Sequence, residues 1–95
     1  MAAYILVDQQ IIDQDGYNVY AHKGGPTIAQ YGGKVLIAGG NAEALEGDWQ
    51  PARVILIEFP DKAAAKAWYD SAEYAEPKQL RFASAKSNLL LVEGL

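Results

Sequence analysis

Four short apolar runs punctuate the chain: YILV at residues 4–7, VLIA at 35–38, VILIEF at 54–59 and NLLLV at 88–92. Each is rich in β-branched residues or leucine and is bounded by polar or turn-forming residues, which reads as strand rather than helix. Between the first two runs, Tyr17, Tyr20, Ala21, Ile28 and Tyr31 recur at helical spacing. Asp13 is placed to cap the start of that helix and Gly32-Gly33 to end it. The Gly24-Gly25-Pro26 triplet in its middle predicts a kink or a split, with Pro26 at the first position of a second piece. Between the third and fourth runs, Asp61 caps a helix whose face is Ala64, Ala65, Trp68 and Tyr69. Ser71 and Pro77 then read as fresh starts of short helical turns reaching about Ala85. The connection between the second and third runs holds no helix. It reads as a long hairpin with a glycine break at Gly39-Gly40 and a turn at Gly47-Asp48.

Strand, helix, strand, strand, helix, strand is the split βαβ pattern, an α+β ferredoxin-like βαββαβ fold with a four-stranded antiparallel sheet and helices on one face. An antiparallel sheet with one solvated face should alternate apolar and polar residues along each strand. These strands are apolar on both faces, and two helices cover only one. A second copy of the chain, packed sheet face to sheet face, is the simplest cover for the other, which predicts a two-fold homodimer.

Composition narrows the function classes. The 95 residues allow one domain, 1–95, and the 51% hydrophobic and 21% charged content is ordinary for a globular chain. Net charge is −4 and the eight Lys and Arg are scattered, so no basic footprint for nucleic acid or an anionic membrane is expected. The absence of cysteine excludes disulfides, thiolate metal sites and cysteine nucleophiles. A lone histidine offers no histidine cluster, so no bound metal is expected, and no cofactor is assigned from the residues. The N-terminal stretch lacks a basic region and reaches a charge at Asp8, which fits neither a signal peptide nor a membrane span and makes a cytoplasmic protein the expectation.

The segments YGGKVLIAGG, LEGDW, RVILIEFPDKAAAKAWYDSAEY and LLLVEG resemble, nearly end to end, the bacterial family catalogued as domain of unknown function 1330. The resemblance implies a ferredoxin-like member of the dimeric α/β-barrel superfamily, in which two sheets pack into a barrel-like dimer. It implies no particular activity. Superfamily relatives include cofactor-independent monooxygenases, haem-degrading enzymes, lactone isomerases and proteins without known activity, and a shared fold does not transfer chemistry.

Several side chains could carry chemistry, each with a purely structural alternative. Trp68 and Tyr69 point about 100° apart on a helix, so one fills the helix–sheet core and the other covers its edge. Alternatively Tyr69, Tyr74, Tyr20 and Phe82 surround an apolar pocket between helices and sheet. His22 is either a solvated residue near a helix end or a general acid–base group beside Tyr17 and Tyr20. Asp8 and Glu58 lie near the ends of the first and third strands, which this reading takes as adjacent and parallel. Brought together they would raise one pKa and suit acid–base work. Singly, each is a strand-end charge or half of an ion pair, with Arg53, Lys34 and Arg81 as cations for Glu58. Arg81 and Ser84 share a helix face and could hold a carboxylate or phosphate; otherwise Arg81 pairs with Glu73, Glu76 or Glu58. Trp49, on the hairpin tip, suggests contact with a partner subunit.

Absent motifs matter as well: there is no phosphate loop, no nucleophile elbow, and no basic, aromatic sheet face for RNA. Three functions survive. One is a metal-free enzyme acting on an apolar or aromatic molecule that can carry a carboxylate, with Glu58 or His22 as acid or base. Another is a non-catalytic binding module using the same pocket. The last is a structural or stress-related dimer.

Overall fold

The computed structural model describes all 95 residues and shows β1 (Ala3–Ile11), α1 (Gln14–Gln30), β2 (Lys34–Gly40), β3 (Val54–Phe59), α2 (Lys62–Tyr69), α3 (Ala72–Ser84) and β4 (Ala85–Glu93). The second crossover is thus a broken pair of helices, and the order remains βαββαβ. The strands form one open antiparallel sheet in the order β2-β3-β1-β4. Inward-facing Ala3, Ile5, Val7 and Gln9 on β1, with Ile57 and Phe59 on β3, are buried beneath the helices. Trp68 and Tyr74, from α2 and α3, complete the core against Phe59.

Helix starts follow their caps. Asp13 accepts from the Gly16 amide (3.1 Å), Asp61 from Ala64 (2.8 Å) and Ser71 from Tyr74 (3.1 Å), each satisfying an amide that has no intrahelical partner. The prolines behave otherwise than expected. Pro26 and Pro77 lie inside continuous helices and start nothing. Proline deprives the carbonyl four residues earlier of its donor, but His22 and Glu73 are exposed, so water can serve those carbonyls. Gly24 permits the close crossing of α1 over α3: a Cβ there would lie 3.1 Å from the Tyr20 ring and 3.3 Å from the Pro77 Cβ.

One expectation about the sheet is corrected. β1 and β3 are adjacent but antiparallel, with Tyr4 opposite Glu58 and Asp8 opposite Val54. The α1 crossover returns β2 in the direction of β1, and the hairpin from β2 to β3 then reverses it, so β3 runs against β1. The carboxyl ends of β1 and β3 therefore lie at opposite edges. β2 carries register shifts between Val35 and Ile37 and between Ala38 and Gly40, and Gly39 takes a positive φ of 78° at the second. The long connection that follows is exposed throughout residues 41–50, and it bends at 45–48.

Residues opposite one another in the register share a face, which places Leu6, Ile37, Leu56, Leu90 and Val92 on the side away from the helices. Ile37, Leu90 and Val92 are 42%, 57% and 48% exposed, so the open face is apolar in a single chain. No helix is long and apolar enough to cross a membrane.

Candidate functional site

Between the helices and the sheet lies a cavity of about 190 Å³. Its floor, from β1, β3 and β4, is apolar apart from Gln9. Its walls are Tyr17 and Tyr20 of α1, Trp68 of α2, and Tyr74 and Arg81 of α3. Ala21 and Gly25 on one side and Ala38 on the other are exposed, so the cavity reaches the surface between α1 and β2.

The aromatic walls are held in place by polar contacts. The Trp68 indole N–H donates to the Thr27 hydroxyl (3.0 Å), which in turn donates to the Gly24 carbonyl (2.6 Å). The Trp68 and Tyr74 rings lie 4.1 Å apart between centroids, and the Tyr20 ring meets Tyr74 at 6.3 Å and 66°. The Tyr20 and Tyr74 hydroxyls hydrogen-bond each other at 2.9 Å. Desolvation raises both phenol pKa values, against a lowering from the nearby Arg81 charge. Both therefore remain neutral hydroxyls over the physiological range. Deeper in, the fully buried Gln9 side chain donates to the Tyr17 hydroxyl.

Two guanidiniums line this space and neither finds an acid. Arg81 is 3% exposed, stacks on the Phe82 ring at 5.0 Å, and has a buried Nε without an acceptor. Arg53, half-buried, lies 5.8 Å over the Tyr17 ring and likewise has a buried Nε without an acceptor. The acids expected to pair with Arg81 are engaged elsewhere. Glu58 accepts from Tyr4 (3.1 Å), Glu73 from Tyr31 (2.9 Å) and Glu76 pairs with Lys23 (2.9 Å).

Of the residues singled out in the sequence, Tyr20, Trp68, Tyr74 and Arg81 come together at the cavity. The others lie elsewhere. Tyr69 packs on the outer side of Trp68 with the Lys78 ammonium 4.1 Å from its ring centre, and lines a separate groove with Ile5 and Leu91. Phe82 is 52% exposed. Ser84 is buried, but its hydroxyl donates to the Leu80 carbonyl within its own helix (2.7 Å). His22 is exposed on α1. Asp8 and Glu58 share the open face, yet they are separated by four residues along the sheet, roughly 13 Å, too far to perturb one another strongly. Asp8 instead receives the Trp49 indole N–H (2.9 Å) and the Ala52 amide (3.2 Å), tying the hairpin loop to the sheet. Lys34 faces Glu58 in the register without forming an ion pair.

Gln9, Tyr17 and Arg53 join the site although sequence reasoning assigned them no binding role. Gln9 continues the inward period-two stripe Ala3, Ile5, Val7, a signal present in the sequence. Arg53, opposite Gln9, carries the same signal, since it continues the inward period-two stripe Phe59, Ile57, Ile55 by one step. No group of three or more His, Asp or Glu is gathered as a metal would require.

Comparison with solved structures places the fold. A protein of unknown function from Rhodopseudomonas palustris superposes with a TM-score of 0.81 at 23% identity, covering 99% of this chain and 82% of that one. A dimeric ferredoxin-like protein of unknown function from Jannaschia sp. CCS1 gives 0.67 at 14% identity, covering 99% and 100%. SnoaB, a cofactor-independent oxygenase from Streptomyces nogalater, gives 0.64 at 8% identity, covering 99% and 93%. At such identities the likeness is one of fold. No curated protein matches the sequence significantly. Residues 2–95 match the family described as Domain of unknown function (DUF1330), and the chain belongs to that family.

Proposed function

We propose that the protein binds a small, ring-bearing, largely apolar molecule in the cavity between its helices and sheet. The observation that carries this reading is the cavity itself. In a chain of only 95 residues, a core packed purely for stability would close a space of about 190 Å³. A cavity of about 150 Å³ already accommodates benzene in other proteins, so this one suits a single substituted ring. Tyr20, Trp68 and Tyr74 offer it ring faces, and the two tyrosine hydroxyls supply the few polar groups that would orient it. Glu58 and His22 lie outside the cavity, so the reading gives them no acid–base step there and favours a binding role over a catalytic one.

The test is titration with phenol, benzamide and benzoate, following the Trp68 indole N–H by NMR and the thermal midpoint. Saturable shifts with a raised midpoint are expected, because a ligand that binds only the folded state stabilises it. The cavity-filling variant Ile55→Phe should abolish the response while still folding. No saturable response to any ring-bearing probe would sink the reading.

The same reading includes a homodimer joined through the open sheet face. Its support is the exposed apolar surface formed by Leu6, Ile37, Leu56, Leu90 and Val92, together with the dimeric ferredoxin-like neighbour from Jannaschia.

A further inference from the structure

The charges around the cavity do not balance. Its lining contains Arg53 and Arg81 and no aspartate or glutamate, although acids outnumber bases by twelve to eight in the chain as a whole. The chain's ion pairs, Lys23–Glu76 and Lys62–Glu93, are both exposed and involve neither arginine. Taking a guanidinium out of water without an acid is costly, and Arg81 is almost fully buried. Cation–π contact with Tyr17 and Phe82 offsets only part of that cost and leaves each buried Nε–H without an acceptor.

Gly39 points the same way. A Cβ at this position would run into the Arg53 guanidinium, so the β2 bulge leaves open the space in which that side chain lies. Arg53 thus has its space beside Gly39, and Arg81 is buried on α3. They sit among neutral donors, since Tyr20 and Tyr74 keep their protons and Gln9 presents an amide.

We propose that the occupant of the cavity is an organic carboxylate, its anionic group received by Arg81 and Arg53 and its ring packed among Tyr20, Trp68 and Tyr74. The proposal rests on the cavity being a ligand site and adds the ligand's charge. A carboxylate matches the planar fork of a guanidinium and accepts two N–H groups at once, which neither the protein's own acids nor a neutral ring does here.

Benzoate and benzamide separate the two claims, because they share shape and differ in charge. In calorimetric or NMR titrations of the intact protein, benzoate should bind at least about tenfold more tightly than benzamide, the scale of one or two hydrogen bonds to a charged group. Arg81→Gln should remove most of that preference by weakening benzoate and leaving benzamide nearly unchanged. Arg53→Gln, at a half-buried and more tolerant position, should reduce it as well, so the inference stays testable even if the Arg81 variant does not fold. Equal affinities for the two probes would overturn the carboxylate assignment and leave the cavity reading standing. A preference that survives in Arg53→Gln, and in Arg81→Gln if that folds, would overturn it too. Binding of neither probe would overturn the carboxylate assignment, and the absence of phenol binding as well would remove the cavity reading with it.

Discussion

On the helix-covered face of the sheet, Arg81 and Arg53 lie partly or wholly buried with no acid to meet them; on the open face, Asp8 and Glu58 are each answered by a neutral donor. Charge is thus left unmatched inside and settled outside. Apolar surface shows the reverse. Beneath the helices Ile5, Phe59, Trp68 and Tyr74 are fully covered, whereas across the sheet Leu90 and Val92 remain about half exposed. A group left unmet on one face points to what that face receives. On the helix side that group is a pair of guanidinium Nε–H groups without acceptors, and on the open side it is apolar surface uncovered in the single chain.

The sharpest way to break this contrast is to injure one face at a time. Trp68→Ala removes the indole that joins Phe59, Tyr74 and Thr27, and should cost about 3–5 kcal/mol of unfolding free energy, measured by denaturant titration. For a domain of this size that leaves little net stability. Leu56→Glu, on the central strand of the open face, should instead halve the solution molar mass at micromolar concentration and leave the far-ultraviolet circular dichroism of a folded chain. A wild-type chain that already sediments as a monomer, or a Leu56→Glu variant that stays dimeric, would refute assembly through this face.

The same two faces explain what could be read from the sequence. The apolar runs that became β1 and β3 were plain in YILV and VILIEF, and so was the apolar character of both faces of the sheet. Strand ends were less plain. β1 continues to Ile11 and β4 begins at Ala85 because Gln9, Lys86 and Ser87 are polar positions in a regular ladder, paired Gln9 to Ser87 and Gln10 to Lys86. Apolar content does not mark such residues, whereas period two does. Pro26 and Pro77 signal breaks by their chemistry, and only the exposure of His22 and Glu73 shows why helices persist across them.

The site divides along the same line. Tyr20, Trp68, Tyr74 and Arg81 share inward helix faces, which helical spacing expresses. Asp8 and Glu58 illustrate the opposite case. Their positions near strand ends were evident, but whether those ends adjoin depends on strand direction, and the antiparallel register separates them. Arg53 shares the inward period-two face of Ile55 and Ile57, but the room its guanidinium takes beside Gly39, fourteen positions away across the hairpin, is a relation that no local pattern encodes.

A gentler change sharpens the picture of the covered face. Burial raises the Tyr20 and Tyr74 phenols above their ordinary value near 10, so the folded chain holds those protons where the unfolded chain releases them. Stability from this source is fully present below about pH 10 and falls as pH rises beyond it, because there the unfolded state binds fewer protons than the folded one. Tyr20→Phe removes one of the two phenols and the 2.9 Å hydroxyl pair. At neutral pH it should cost about 0.5–1.5 kcal/mol, the usual net worth of a hydrogen bond. Above pH 10 the gap to wild type should narrow, since the variant has one fewer buried group to deprotonate on unfolding. Denaturant midpoints measured at pH 7, 10 and 11 decide it: parallel curves would mean that these hydroxyls reach water freely, and that the aromatic wall is looser than its ring contacts require.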